Sequence, residues 1–151
     1  MVKRAHVSLV LVIGCLACGE LLVPSVAIGT YELRSVGGTG LPALLELTPT
    51  DSVLVTGRTL TLAADRTFRE ESRLVVRSRS TGTPRDSVTL EVGAYVPRSG
   101  SVALVVDRCP GAPVCALIMY APVEYRLSGR WLSSDAPLAV RLERTGAPRE
   151  F

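Results

Sequence analysis

Residues 67–79 read TFREESRLVVRSR, and the alternation in that stretch restricts the fold more than any other feature. Its odd positions are Thr67, Arg69, Glu71, Arg73, Val75, Arg77 and Arg79; its even positions are Phe68, Glu70, Ser72, Leu74, Val76 and Ser78. Successive side chains of a strand point to opposite faces, so a repeat of two makes one wet face and one covered face. A helix would scatter the same residues around its axis and leave no stripe to bury. The odd face is therefore a solvated ladder with four arginines, and the even face turns towards an interior.

Short runs of the same kind recur along the chain, broken by Gly, Pro, Asp and Ser. They predict strands at residues 30–36, 52–55, 59–63, 67–79, 87–96, 101–108, 115–120, 123–127, 130–132 and 138–143. No long stretch sustains a helical period. Many short strands with regular turn signals predict an all-β fold, a barrel or a sandwich. The expectation is a single antiparallel meander barrel of about eight strands, over residues 28–146, with residues 147–151 as a tail.

One hairpin can be specified in detail. In TLTLAADRTFREES, Leu60 and Leu62 precede the turn on the inward face and Phe68 follows it. Pairing Leu62 with Phe68 leaves Ala64, Asp65 and Arg66 as a three-residue loop, whose last residue takes the left-handed region. A two-residue loop would pair Leu62 with Arg69 and break the pattern. Upstream, Gly37, Gly38 and Gly40 make a turn, and Pro42 followed by Leu44 and Leu45 suits a short helical turn.

The even face of residues 67–79 raises a question of its own, because Glu70 and Ser72 would point inwards. An unpaired buried carboxylate is costly, so that level must open to water or supply a partner. Either the two are polar fixtures in a cavity, or they lie at a rim or are turned out by a bulge; the second is the more economical. If a cavity exists, Tyr31, Leu60, Leu62, Phe68, Leu90 and Val92 are the expected apolar wall, each also explicable as plain core.

The front end has the plan of a secretory signal peptide: Lys3 and Arg4, then an apolar run, then small Gly14 and Ala17 beside Cys15 and Cys18. A retained membrane helix would need about 20 predominantly apolar residues, and Glu20 interrupts the run. Residues 1–18 are read as leader and residues 19–27 as linker. Val12-Ile13-Gly14-Cys15 resembles the lipobox of bacterial lipoproteins, in which the cysteine is acylated and becomes the new terminus. Cys18 is the rival acceptor, and an ordinary secretory peptide is the alternative. By the sorting habit of that family, Leu16 after Cys15 implies the outer rather than the inner membrane. Loss of Lys3 and Arg4 takes the formal charge from +3 to +1, which advertises no nucleic-acid partner. Cys109 and Cys115, in DRCPGAPVCAL, read as a disulfide closing a hairpin loop in an exported protein. Metal binding is the alternative, and a lone pair without a mature histidine is a poor zinc site.

Several segments together resemble the small lipocalin-like domains of bacterial lipoproteins. They are GTYELRSV from Gly29, then GGTGLP, TLTLAADRTFRE, VGAYVPRSGSVALVVD and YRLSGRWL. The likeness covers Ile28 to about Thr145, with Tyr31 where larger lipocalins prefer tryptophan. It implies a barrel tethered outside the cytoplasm that binds a small hydrophobic molecule.

Catalysis is not expected. The one histidine, His6, falls in the leader, and no Gly-x-Ser-x-Gly elbow or Ser-x-x-Lys pattern occurs. Glu70 and Glu71 are adjacent, hence on opposite faces, and cannot act as a pair. No cofactor and no metal are expected. The partners expected are the membrane, through the lipid, and a small hydrophobic molecule or another envelope protein. That protein would be met through the arginines of residues 67–79 or through a sheet edge.

Overall fold

The computed structural model describes residues 27–107, 122–135 and 138–147. Among them the chain forms ten strands: β1 (Gly29–Val36), β2 (Thr39–Gly40), β3 (Ala43–Leu47), β4 (Asp51–Leu62), β5 (Thr67–Ser78), β6 (Pro84–Arg98), β7 (Ser101–Val106), β8 (Val123–Ser128), β9 (Trp131–Ser134) and β10 (Val140–Gly146). Every pairing is antiparallel, and β4 to β10 each pair with the next strand. β10 then pairs with β1, and β1 with β4, which closes a barrel of eight strands compatible with a lipocalin-like fold. Closure removes the exposed sheet edges that an open sheet would have to protect.

The remaining two strands act as a wedge. β1 uses one edge for both β4 (Gly29–Glu32 against Leu62–Thr59) and β2 (Ser35 and Val36 against Gly40 and Thr39). The chain then continues through a cis Leu41–Pro42 bond into β3, which pairs with Ser52–Val55 of β4. One end of the wall is thus spread by an inserted strand, and the other is not. The short helical turn expected at Pro42–Leu45 is corrected to strand. Pairing with β4 satisfies the backbone there, and Ala43, not the leucines, takes the buried position.

The period-two reading of β5 holds along its length. Opposite it, β4 is one strand rather than the two expected, because Gly57 marks a bulge and not a break. Val55 pairs with Leu74 and Gly57 with Arg73, so Thr56 has no ladder partner and the alternation changes phase across it. Val53 and Val55 face inwards before the bulge; Arg58, Leu60 and Leu62 face inwards after it. The hairpin loop is as expected. Leu62 pairs with Phe68, and Arg66 has φ 68°. Asp65 Oδ1 accepts from the Thr67 amide at 3.0 Å and from the Thr67 hydroxyl at 2.6 Å, which holds the Asp65 carboxyl below the ordinary carboxylate range.

The core fills the end of the barrel bounded by the β4–β5, β6–β7 and β8–β9 turns. Tyr31, Leu60, Leu62, Phe68, Tyr95, Val102, Leu104, Tyr125, Leu132 and Leu142 are buried there. Burial of side chains of this size contributes roughly 1.5–3 kcal/mol each, set against conformational entropy. The polar tips are satisfied: the Tyr31 hydroxyl donates to Ala27 O at 2.8 Å and the Tyr95 hydroxyl to Ala63 O at 2.7 Å. At the start of β1, Arg144 donates to Ile28 O beside Tyr31. Gly29 leaves it room, since a Cβ there would lie 2.6 Å from Arg144 Nε.

β6 corrects the expectation for Leu90 and Val92. Glu91, Gly93 and Tyr95 face inwards, and Val88, Leu90, Val92, Ala94 and Val96 face out. Two anchors set this phase. Tyr95 is buried in the core, and Gly93 faces Phe68 so closely that a Cβ would lie 2.8 Å from Phe68 Cε1 and 2.1 Å from Val105 O. Val88 is left 64 % exposed and Leu90 52 % exposed on the outer surface.

Candidate binding recess

Above the core, towards the end where β7 stops and β8 and β10 begin, the interior widens into a recess of about 310 Å³. That is at the lower end of the range of about 300–1,000 Å³ for small-molecule sites. Leu45, Phe68, Leu104, Val106, Val123, Leu138 and Val140 make its wall apolar. Glu46, Arg58, Glu70, Glu91 and the phenol of Tyr125 complete the lining.

Each polar group is placed by its strand. The β4 bulge turns Arg58 inwards, across from Ser72 of β5 and one step along from Glu70. Arg58 Nε lies 3.3 Å from Glu70 Oε1 and donates to Ser72 Oγ at 3.0 Å. Tyr125 of β8 lines the recess with Arg58, whose charge acts on its phenol. So the partner that an inward Glu70 requires is Arg58. Glu70 (8 % exposed) and Ser72 are buried, and the rim or bulge placement is corrected. The signal for Arg58 was present as Gly57 within an alternating run, which marks a bulge as readily as a break.

Glu91 of β6 stands directly opposite Glu70 in the ladder. Burial raises the Glu70 pKa; Arg58 pulls it back, and the Glu91 charge pushes it up again. Burial, with the Glu70 charge adding to it, pushes the Tyr125 phenol up to about 12, so it stays a neutral donor and acceptor.

Of the expected wall residues, Phe68 and Glu70 line the recess. Ser72 supports it through Arg58, while Tyr31, Leu60 and Leu62 fill the core below. Leu90 and Val92 stand outside the barrel. A wider hollow of about 750 Å³ lies between Arg69, Val92, Gly93, Val105 and Asp107, mostly on the outer surface, without converging buried charges. No group of three or more His, Cys, Asp or Glu side chains is placed to hold a metal among the described residues. Cys15, Cys18, Cys109 and Cys115, with the acylation and disulfide expected of them, lie outside the described residues. So does the strand expected at 115–120.

On the outer surface Arg69, Arg73 and Arg77 share one face of β5, as the alternation requires. Arg79 lies past the strand, donating to Thr48 O at 3.2 Å. Glu32, Arg34, Glu143 and Arg130 form a surface chain of ion pairs at 2.8–3.2 Å, of a kind worth under about 1 kcal/mol each. Arg141 stacks on Trp131, 3.9 Å from the ring centre.

Comparison with known protein families, with curated proteins and with solved structures gave no match to this chain.

Proposed function

We propose that this chain is an exported, lipid-anchored protein of the bacterial cell envelope whose barrel binds a small hydrophobic molecule. The observation that carries the binding role is the apolar recess in the barrel mouth, with polar groups converging on its floor from β4, β5, β6 and β8. Small-molecule sites combine these two features: apolar walls supply affinity, and a few fixed polar groups supply orientation. The role is one of binding and not of catalysis. Export and anchoring rest on the basic and apolar leader and on the lipobox likeness at Cys15, with Cys18 as the rival. More than one acyl chain would give a stable tether without a spanning helix. The outer membrane is the proposed site.

Mass spectrometry of the full chain taken from the membrane fraction tests both halves. The proposal expects covalent acyl mass on Cys15 or Cys18, and under native conditions an additional non-covalent mass. An unmodified terminus in the soluble fraction contradicts the anchor. A chain that neither co-purifies with nor takes up any small apolar molecule contradicts the ligand role.

A second reading is favoured by the outer surface of β6. Val88, Leu90, Val92, Ala94 and Val96 form an apolar row beside Arg69 and Arg73 of β5. A mixed surface of this kind suits contact with another envelope protein, through the arginine-bearing face predicted from the alternation. Ionic strength separates the two roles, because a charge-assisted contact weakens with salt and filling of an apolar recess does not.

A further inference from the structure

We infer that the outer wall of the barrel carries a second binding site, for an amphiphile with a phosphate or carboxylate head. Arg69 holds the head, and the apolar arm lies along β6 and β7. The site does not depend on the recess. Thr30 of β1 stands across from Thr61 of β4, and Thr61 across from Arg69 of β5, so the three form one row on the outward face. They share a cleft of about 470 Å³ with Thr59 and Thr145. Thr61 is only 8 % exposed and its hydroxyl lies 3.5 Å from that of Thr30, which gives the cleft a polar floor. The carboxylates of the lining already have partners: Glu71 Oε1 lies 3.4 Å from Arg73 Nη2, and Glu32 Oε2 lies 3.2 Å from Arg34 Nη2. Arg69 has no hydrogen bond, ion pair or ring contact among the described residues, so its charge is the uncompensated one in the cleft. A guanidinium presents a planar fork that matches the oxygens of a phosphate or carboxylate, and threonine hydroxyls supply further donors to the same head. On its other side Arg69 stands across from Val92, and there it borders the hollow of about 750 Å³ with Ala94 and Val105. Head and arm thus have adjoining places that meet at Arg69. The concavity favours one molecule over a bilayer, because a flat surface does not reach the floor at Thr61.

The test is titration of the full chain with inorganic phosphate, octyl phosphate and octanol, followed through backbone amide resonances. The expected result is saturable shifts at Thr30, Thr61 and Arg69 with both phosphates. Octyl phosphate should bind tightest, with Kd roughly tenfold or more below those of inorganic phosphate and octanol, a margin that about two buried methylene groups or one charge-assisted hydrogen bond provides. Arg69→Gln should weaken octyl phosphate roughly tenfold or more, while Arg77→Gln, on the same face of β5 and outside the cleft, should not. The resonances of the unaltered chain decide the location, whether or not either variant folds. No saturable shift at Thr61 with either phosphate, or shifts confined to Tyr125 and its neighbours in the recess, overturns the outer site. So does an Arg69→Gln variant that folds and keeps full affinity. Octyl phosphate no tighter than inorganic phosphate overturns the apolar arm. Vesicles of phosphatidylglycerol should bind the unaltered chain and Arg69→Gln equally; a loss on substitution would overturn the single-molecule reading and assign the head to a bilayer.

Discussion

At the residue scale, Arg58 carries the most weight, since its charge does more than the Ser72 hydroxyl to favour an ionised Glu70 inside the barrel. A buried pair adds little net stability over an apolar replacement of both members, but removal of one member costs about 3–5 kcal/mol. Glu70 already binds its proton more tightly when folded than when unfolded. Stability is therefore lost as pH rises from the ordinary carboxylate value through the raised one. Arg58→Met removes the charge that pulls the value down and widens that window. The variant should lose about 3–5 kcal/mol at pH 8 and clearly less at pH 5, by chemical denaturation. An equal loss at both pH values would show that Glu70 does not depend on Arg58. Arg66 is a simpler case. Its left-handed backbone is strained for any side chain, so Arg66→Gly should raise stability by up to about 1 kcal/mol, read as a shift in the denaturation midpoint.

At the element scale, the turn joining β4 and β5 was legible down to the Leu62–Phe68 register and the loop conformation, because large apolar residues and a turn agreed on one phase, whereas the bulge farther along β4 was not. Nor was β6. It carries two interleaved sets, Val88–Leu90–Val92 on one face and Gly93–Tyr95 on the other, and apolar count alone favours the wrong one. One buried tyrosine and one glycine that admits Phe68 outweigh three aliphatic side chains, an effect of packing shape that hydropathy does not record. The site was half legible for a related reason. Glu70 and Ser72 followed from the strict alternation of β5, whereas Arg58 depended on the Thr56 bulge changing the phase of β4. The correction is measurable. Leu90→Gln should change stability by less than about 0.5 kcal/mol, as for other exposed positions, while Leu60→Ala should cost about 2–5 kcal/mol. A large loss from Leu90→Gln would return that side chain to the interior.

At the scale of the whole molecule, closure turns these strands into a container. Eight strands enclose an interior wide enough for side chains or one small ligand, and this barrel divides that space into core at one end and recess at the other. The meander order was readable from the succession of alternating runs and turns. The β2–β3 wedge was not, since its leucines carry a spacing that fits a helical turn, and only pairing with β4 decides against it. All of this depends on the seam between β1 and β4, which with β1–β10 is one of two contacts of the ring between strands that are not consecutive in the chain. Nuclear Overhauser effects across that seam test it most directly. The account predicts cross-strand contacts between Thr30 and Thr61 and between Tyr31 and Leu60, with slowly exchanging amides on both strands. An absence of those contacts, with fast exchange along β1, would mean an open sheet and contradict the barrel.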